Sequence, residues 1–180
     1  MTVTPGTLPP LTLVLGGMRS GKSRHAESLI AAASNLALYI ATAEARDAEM
    51  AERIRYHQDR RGPAWTTVEA PLDLAGTLRR QGATSHPILV DCLTLWLSNS
   101  LEAGRDLDVE TDLLLAALRE ITAPVVMVSN EVGLGIVPMG ALTRRFADAA
   151  GRLNQAIAAR ADRVVLVAAG LPLVLKGVAR

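Results

Sequence analysis

Short runs of apolar residues alternate with longer amphipathic segments along most of the chain. Uninterrupted apolar runs are typical of central strands in a parallel sheet that is covered by helices on both faces. Five runs predict such strands: Leu11–Leu15, Leu38–Ala41, Ile88–Asp91, Val125–Ser129 and Val164–Ala168. The segments between them predict helices over Lys22–Ala33, Asp47–Arg60, Leu72–Arg80, Val109–Thr122 and Leu142–Arg160.

This alternation predicts a three-layer α/β fold with a mainly parallel central sheet and right-handed crossovers. We expect a flexible tail over residues 1–10, a single domain over residues 11–180, and a last edge strand in the final segment LPLVLKGVAR. Ligands of open parallel sheets bind beyond the carboxyl ends of the strands. The chemistry is therefore expected on the loops after Leu15, Ala41, Val90 and Val128.

The first predicted strand runs directly into the sequence GGMRSGKS, which a predicted helix follows. This is the G-x-x-x-x-G-K-S pattern of a P-loop in its required strand–loop–helix setting, so it predicts a P-loop NTPase-like fold. Its glycines let backbone N–H groups curl around phosphate oxygens, and the helix N-terminus adds partial positive charge. The predicted nucleotide-binding residues of the loop are Gly16, Gly17, Met18, Arg19, Ser20, Gly21, Lys22 and Ser23.

Individual side chains of this loop have separate expected roles. Lys22 is expected to reach the terminal phosphates, and the hydroxyl of Ser23 is expected to bind Mg²⁺. A P-loop also needs an acid at a neighbouring strand end to hold the metal. Two acids are candidates, Asp91 after the run PILV and Glu131 after the run PVVMVSN. We favour Asp91, while a helix-capping or water-facing role remains an alternative for both acids.

A second candidate lies on the helix predicted after the second strand. Met50, Ile54, His57 and Arg61 are spaced so that they share one helical face. Because the preceding strand is expected to end beside the P-loop, His57 could face a nucleotide. A histidine on an apolar face is also commonly a packed structural residue, and the pattern does not separate these two roles.

Charge and cysteine content narrow the class of protein. Nineteen Lys and Arg residues against eighteen Asp and Glu residues give a net charge of +1, which argues against a nucleic-acid partner. The single cysteine, Cys92, lies in an apolar run and suits a buried thiol in a reducing compartment. The N-terminus lacks the pattern of a signal peptide, and no segment predicts a membrane span. We therefore expect a cytoplasmic protein with small-molecule partners.

Four blocks in order resemble those of a known family: GGMRSGKSRHAE, YIATAEARDAEMAERIRYHQDRR with WTTVEA, ILVDCLTLWLSN, and VSNEVGLGIVPMGALTRRFADAAGRLNQAIA. They are similar to the bifunctional adenosylcobinamide kinase / adenosylcobinamide-phosphate guanylyltransferase of cobalamin biosynthesis. The resemblance runs from Leu11 to Lys176. It implies phosphorylation of adenosylcobinamide with ATP or GTP, followed by transfer of GMP from GTP through a guanylyl-histidine, with release of pyrophosphate.

The resemblance also implies residue roles. His57 of the block RIRYHQDRR would carry the GMP, with Lys22 as the second catalytic residue. Mg²⁺ would be held by Ser23 and Asp91, although the family commonly has Glu at the position of Asp91. A homo-oligomer, by resemblance a trimer, is implied as well. Beyond the P-loop, the implied contacts to GTP come from Ala41, Thr42, Ala43, Gln58, Asp59, Arg60, Arg61, Glu69 and Asp91.

Two other functions are also compatible with a P-loop. A simple P-loop small-molecule kinase would use only the γ-phosphate and would release no pyrophosphate. A nucleotide-gated binding module would discriminate GTP from GDP without any acceptor. The sequence NKxD, with which typical GTPase switches recognise guanine, does not occur in this chain.

Overall fold

A computed structural model of the chain describes residues 8–45, 48, 52, 55 and 62–178. Within these residues, seven strands form one sheet in the order β3-β2-β4-β5-β1-β6-β7. All neighbouring strands are parallel except β6 and β7, which form an antiparallel pair. The strands are β1 Leu11–Gly16, β2 Ala37–Ala41, β3 Trp65–Glu69, β4 Ile88–Asp91, β5 Val125–Asn130, β6 Arg163–Ala168 and β7 Leu171–Lys176.

Helices cover both faces of the sheet, as the apolar runs predict. The described helices are α1 Lys22–Ala31, α2 Leu74–Gln81, α3 Leu93–Glu102, α4 Leu107–Glu120 and α5 Ala141–Arg160. Successive strand residues point to opposite faces, so Leu13 packs with the core that includes α2 to α5, whereas Val14 packs with the core that includes α1. The prediction of a mainly parallel α/β sheet between two helical layers is confirmed.

Differences from the predicted elements have simple causes. Four of the five predicted helices begin and end within two residues of the observed ones, which is the usual uncertainty of helix ends. Strand β3 was not predicted, because its side chains are exposed or half-buried on the sheet edge and make no apolar run. Helix α3 was not predicted either, because it is buried and lacks an amphipathic stripe. The predicted last edge strand is confirmed as β7.

The predicted helix over Asp47–Arg60 lies almost entirely outside the described residues. Ala48, Glu52 and Arg55 are described, and all three are helical and exposed. Among the described residues, no helix has the length and hydropathy that a membrane crossing requires.

Candidate functional site

The GGMRSGKS segment connects β1 to α1 as a compact loop. Arg19 and Gly21 both adopt left-handed backbone conformations, with φ of 58° and 95°. A hydrogen bond from the Ser20 amide to the Gly17 carbonyl (3.2 Å) closes the turn. The chain then enters α1 at Lys22, where the first-turn N–H groups have no acceptor inside the helix. The loop can therefore offer backbone donors and a positive helix end to a phosphate.

Neighbouring backbone holds this loop from behind. A Cβ on Gly16 would lie 2.6 Å from the carbonyl oxygen of Val167 on β6, so only glycine fits there. The Gly170 amide in the β6–β7 turn donates to the Ser20 carbonyl (2.8 Å). A Cβ on Gly21 would approach the Gly170 Cα to 3.3 Å. The edge hairpin β6–β7 is thus a backbone support for the phosphate loop.

The charged side chains of the loop differ in their contacts. Lys22 folds back so that its ammonium donates to the Gly17 carbonyl (3.2 Å). This places the cation across the loop, where phosphate oxygens would compete for it. Met18 and Arg19 at the loop tip are exposed, which leaves the Arg19 guanidinium available to a ligand at that edge.

The predicted acid Asp91 ends β4, as the sequence indicates. The phenol of Tyr39 donates a hydrogen bond to its Oδ2 atom (3.1 Å). Asp91 is in register with Ala41 on β2, and Ala41 is in register with Glu69 on β3. The structure therefore brings Ala41, Glu69 and Asp91 into one row across the carboxyl edge of the sheet.

Thr42, directly after β2, is completely buried. Its hydroxyl donates to the Cys92 carbonyl (2.8 Å) and accepts from the Cys92 amide (2.8 Å). Its own carbonyl accepts from the side-chain amide of Asn99 on α3 (2.8 Å). The hydroxyl of Thr42 is thus engaged with the protein, and Ala43 beside it is half-buried.

A second polar connection joins β4 to β5. The hydroxyl oxygen of Thr94 accepts from the Asn130 backbone amide (3.2 Å) and from its Nδ2 atom (2.7 Å). The Cys92 thiol lies 3.2 Å from the same hydroxyl oxygen. Asn130 is in register with Gly16, the first residue of the phosphate loop. Hydrogen-bonded side chains therefore run from the end of β2 through the end of β4 to the strand beside the loop.

Sequence reasoning did not single out Tyr39, Thr94, Asn99 or Asn130. Each is a polar or phenolic residue within or next to an apolar run, which is the signal that could have marked it. Burying such a group costs free energy unless it is hydrogen-bonded, so its presence there indicates a partner.

Cys92 confirms the prediction of a buried thiol. Burial is the largest cause that raises the pKa of Cys92 to about 11, and the charge of Asp91 acts in the same direction. The ammonium of Lys22 is among the weaker influences that lower it. The carboxylate of Asp91 and the cation of the P-loop thus both lie within electrostatic reach of this thiol.

Glu131, the alternative acid, makes different hydrogen bonds from those of Asp91. Its amide donates to the Gly16 carbonyl (3.1 Å), and its Oε1 atom accepts from the Gly133 amide (2.6 Å). Glu131 therefore stabilises the turn that follows β5. The carboxylate of Asp91 keeps Oδ1 without a hydrogen-bond partner among the described residues, which favours Asp91 as the acid available to a ligand.

The residues at this edge fit a magnesium ion that is shared with phosphates. Mg²⁺ in nucleotide sites is bound by one or two protein groups together with phosphates and water. Ser23 in the first turn of α1 supplies a hydroxyl and Asp91 supplies a carboxylate oxygen. In the described part of the chain there is no cluster of three His, Cys, Asp or Glu residues that could hold a metal without phosphates.

Several predicted site residues lie outside the described residues. They are His57, Gln58, Asp59, Arg60 and Arg61. Of the other two histidines, His86 is exposed and His25 is half-buried on α1. Burial, and to a smaller extent the charge of Arg163, lowers the pKa of His25, and its buried Nε2 atom has no hydrogen-bond partner among the described residues.

Comparison with known proteins adds an independent line of evidence. A family model described as cobinamide kinase / cobinamide phosphate guanyltransferase matches residues 12–175. The bifunctional adenosylcobalamin biosynthesis protein CobP of Pseudomonas aeruginosa is 52% identical over 167 residues, which cover 92% of this chain and 96% of that protein. The protein CobU of Salmonella typhimurium, which has the same description, is 43% identical over 181 residues, covering 92% and 99%.

Solved structures show the same fold at low sequence identity. The flagellar accessory protein FlaH of Methanocaldococcus jannaschii matches with a TM-score of 0.51 and 14% identity, covering 96% of this chain and 81% of its own. An ATPase of a bacterial type III secretion system matches with a TM-score of 0.54 and 14% identity, covering 88% of this chain and 51% of its own. These similarities concern the fold alone, and they confirm the predicted P-loop NTPase-like architecture.

Proposed function

This chain belongs to the cobinamide kinase / cobinamide phosphate guanyltransferase family, and we propose that it carries out both reactions at the carboxyl edge of its sheet. In the first, ATP or GTP phosphorylates the hydroxyl of adenosylcobinamide and leaves as ADP or GDP. In the second, GMP passes from GTP to the new phosphate, which gives adenosylcobinamide-GDP and releases pyrophosphate. The observation that carries the proposal is the family match over residues 12–175, which spans both the P-loop and the segment with His57.

In the kinase step, the acceptor oxygen attacks the γ-phosphorus, the bond between that phosphorus and the β,γ-bridging oxygen breaks so that ADP or GDP leaves, and the hydroxyl proton passes to solvent. The P-loop backbone and the Lys22 ammonium hold the phosphates during this transfer. Ser23 and Asp91 would hold Mg²⁺, which would supply charge neutralisation when bound. The catalytic contribution of the protein is positioning and electrostatic stabilisation.

In the transfer step, we assign His57 as the nucleophile. A neutral imidazole nitrogen attacks the α-phosphorus of GTP, and the bond to the bridging oxygen breaks so that pyrophosphate leaves. A phosphate oxygen of the corrinoid then attacks the same phosphorus, the P–N bond breaks, and the histidine is regenerated. The proposed nucleotide contacts from Ala41 to Ala43, from Gln58 to Arg61, and from Glu69 belong to this step.

The proposal extends to partners and location. We infer a homo-oligomer, with a trimer as the expected form, and a cytoplasmic enzyme because a free buried thiol suits a reducing compartment. Size-exclusion chromatography with light scattering measures the mass of the assembly, and a monomer at all concentrations would contradict the oligomer.

The guanylyl-histidine is tested with α-labelled GTP. We expect Mg²⁺-dependent, acid-labile and base-stable label on the wild-type protein, because phosphorus bonded to a histidine nitrogen has that stability. His57→Ala removes the label, whereas the matched variant His86→Ala, which changes an exposed histidine, keeps it. Label that persists in His57→Ala would contradict the assignment, and wild-type protein that makes ADP without pyrophosphate would indicate the simple kinase.

A further inference from the structure

We propose that Tyr39 and Thr42 are positioning residues for Asp91, with Tyr39 fixing its carboxylate and Thr42 fixing the backbone on its C-terminal side. The inference rests on the proposed function, in which Asp91 takes the metal ion of the nucleotide. It assigns to Thr42 a role different from a side-chain contact to GTP.

The carboxylate is fixed by one hydrogen bond from the neighbouring strand. The phenol of Tyr39 donates to Oδ2 (3.1 Å), and only 5% of the surface of Tyr39 is exposed. Its ring packs edge to face against Trp65, with the ring centres 6.2 Å apart. Tyr39 is therefore held in place by packing, and its hydroxyl sets which carboxylate oxygen of Asp91 remains for a ligand.

The backbone after Asp91 is fixed by a reciprocal pair of hydrogen bonds. The hydroxyl of Thr42 binds both the amide and the carbonyl of Cys92, each at 2.8 Å. The amide of Thr42 in turn donates to the Asp91 carbonyl (3.2 Å). Thr42 thus clamps the chain on both sides of the Asp91–Cys92 peptide, and Thr42 and Cys92 are both buried.

The hydrogen bonds from Tyr39 and Thr42 matter because the side chain of Asp91 is short. Asp has one methylene fewer than Glu, so a movable backbone or a rotating carboxylate would lose the metal more readily. Groups that orient metal ligands from behind typically change metal affinity by roughly 10- to 100-fold when they are removed. Tyr39 and Thr42 have the contacts that such orienting groups need.

The test uses Mn²⁺ with GDP as the probe, because GDP cannot release pyrophosphate and Mn²⁺ binding is followed by electron paramagnetic resonance. We expect Tyr39→Phe, which keeps the ring, to weaken Mn²⁺ binding to the GDP complex by roughly 10-fold. Thr42→Val should weaken it by at least as much, and Thr42→Ser should restore it to within about threefold, since the hydroxyl returns.

Thr12→Val is the matched control. Like Thr42, Thr12 is a completely buried threonine; it lies within β1, and its hydroxyl has no hydrogen-bond partner among the described residues. We expect wild-type Mn²⁺ affinity for this variant. Thermal unfolding of every variant separates a loss of folded protein from a loss of affinity in the folded protein.

Wild-type Mn²⁺ affinity in folded Tyr39→Phe and folded Thr42→Val would overturn the inference. Asp91→Asn distinguishes this failure from failure of the proposed function. If Asp91→Asn binds Mn²⁺ as the wild type does, Asp91 is not a metal ligand and the inference falls, while the guanylyl-histidine assay still decides the role of His57. If kcat falls in Tyr39→Phe or Thr42→Val while Mn²⁺ affinity stays at the wild-type value, that result would also contradict a role in positioning the metal ligand.

Discussion

The phosphate loop and the turn after β4 lie at the same edge of the sheet but are built by different means. Backbone forms the phosphate loop: two left-handed residues, a helix N-terminus and a close approach of β6 leave space for glycine alone at Gly16. Side chains form the turn after β4, since Tyr39, Thr42 and Thr94 each contact Asp91 or Cys92 there. A backbone site tolerates few substitutions at its glycines, whereas a side-chain site can be adjusted one hydrogen bond at a time.

The phosphate loop and the turn after β4 also differ in how deeply their residues are buried. Gly17, Met18 and Arg19 of the loop are exposed, while Thr42, Cys92 and Thr94 are buried. The loop can therefore meet a charged ligand from solvent. The turn keeps an unexposed hydrogen-bond network whose geometry changes little when a ligand arrives, because buried polar groups are costly to unpair.

The largest expected effect comes from removing the cation of the loop. Lys22→Ala should lower the rates of both phosphoryl and guanylyl transfer by roughly 100- to 1,000-fold, because charge on the phosphates loses its partner in the transition state. Steady-state assays of ADP and pyrophosphate release measure the two rates. Lys176→Ala, which removes an ammonium bound to helix carbonyls, is the control and should leave both rates close to wild type.

Equal rates in Lys22→Ala and the wild type would show that the loop does not bind the reacting phosphates. If Lys22→Ala lowered only pyrophosphate release, the two reactions would not share this loop.

A smaller effect is expected from the glycine that packs against β6. Gly16→Ala should lower the free energy of unfolding by about 1–3 kcal/mol, because its Cβ would overlap the Val167 carbonyl. Gly17→Ala is the matched control: a Cβ there meets nothing within 4 Å, so about 0.5 kcal/mol or less is expected. Urea unfolding measures both. A Gly16→Ala protein as stable as Gly17→Ala would show that the loop is not held by β6.

The smallest expected effect concerns the turn after β4 and depends on pH. The pKa of Cys92 is raised to about 11, so the folded chain holds the thiol proton more tightly than the unfolded chain does. The stabilisation that comes from this proton is complete below the pKa that the thiol has in the unfolded chain. It is lost as the pH rises toward 11. Between pH 9 and pH 10 we expect wild type to lose about 1 kcal/mol more than Cys92→Ala.

Unfolding by urea at the two pH values gives this difference directly. A Cys92→Ala protein with the same pH slope as the wild type would contradict the burial of the thiol. Alkylation offers a second measure: at pH 8 the native thiol should react with iodoacetamide far more slowly than the unfolded one.

Local sequence patterns are sufficient to predict the phosphate loop and the parallel core. A strand–loop–helix pattern with fixed glycines is local, so residues 11–31 predict their own elements, whereas the support of the loop by the β6–β7 hairpin comes from the tertiary structure. Apolar runs on both faces likewise indicate central strands, because such runs are stable only where helices cover both sides. The position of Asp91 at a strand end followed from the same pattern.

The hydrogen-bond partners of Asp91 follow only from the tertiary structure. Tyr39 meets Asp91 because β2 and β4 are neighbours in the sheet although 52 positions separate the two residues in the chain. Strand order also brought Asn130 beside Gly16 and placed Thr42 over the Cys92 peptide. No local pattern encodes these pairs, since hydrogen bonds across a sheet depend on which strands pack side by side, and that choice is made by the whole core.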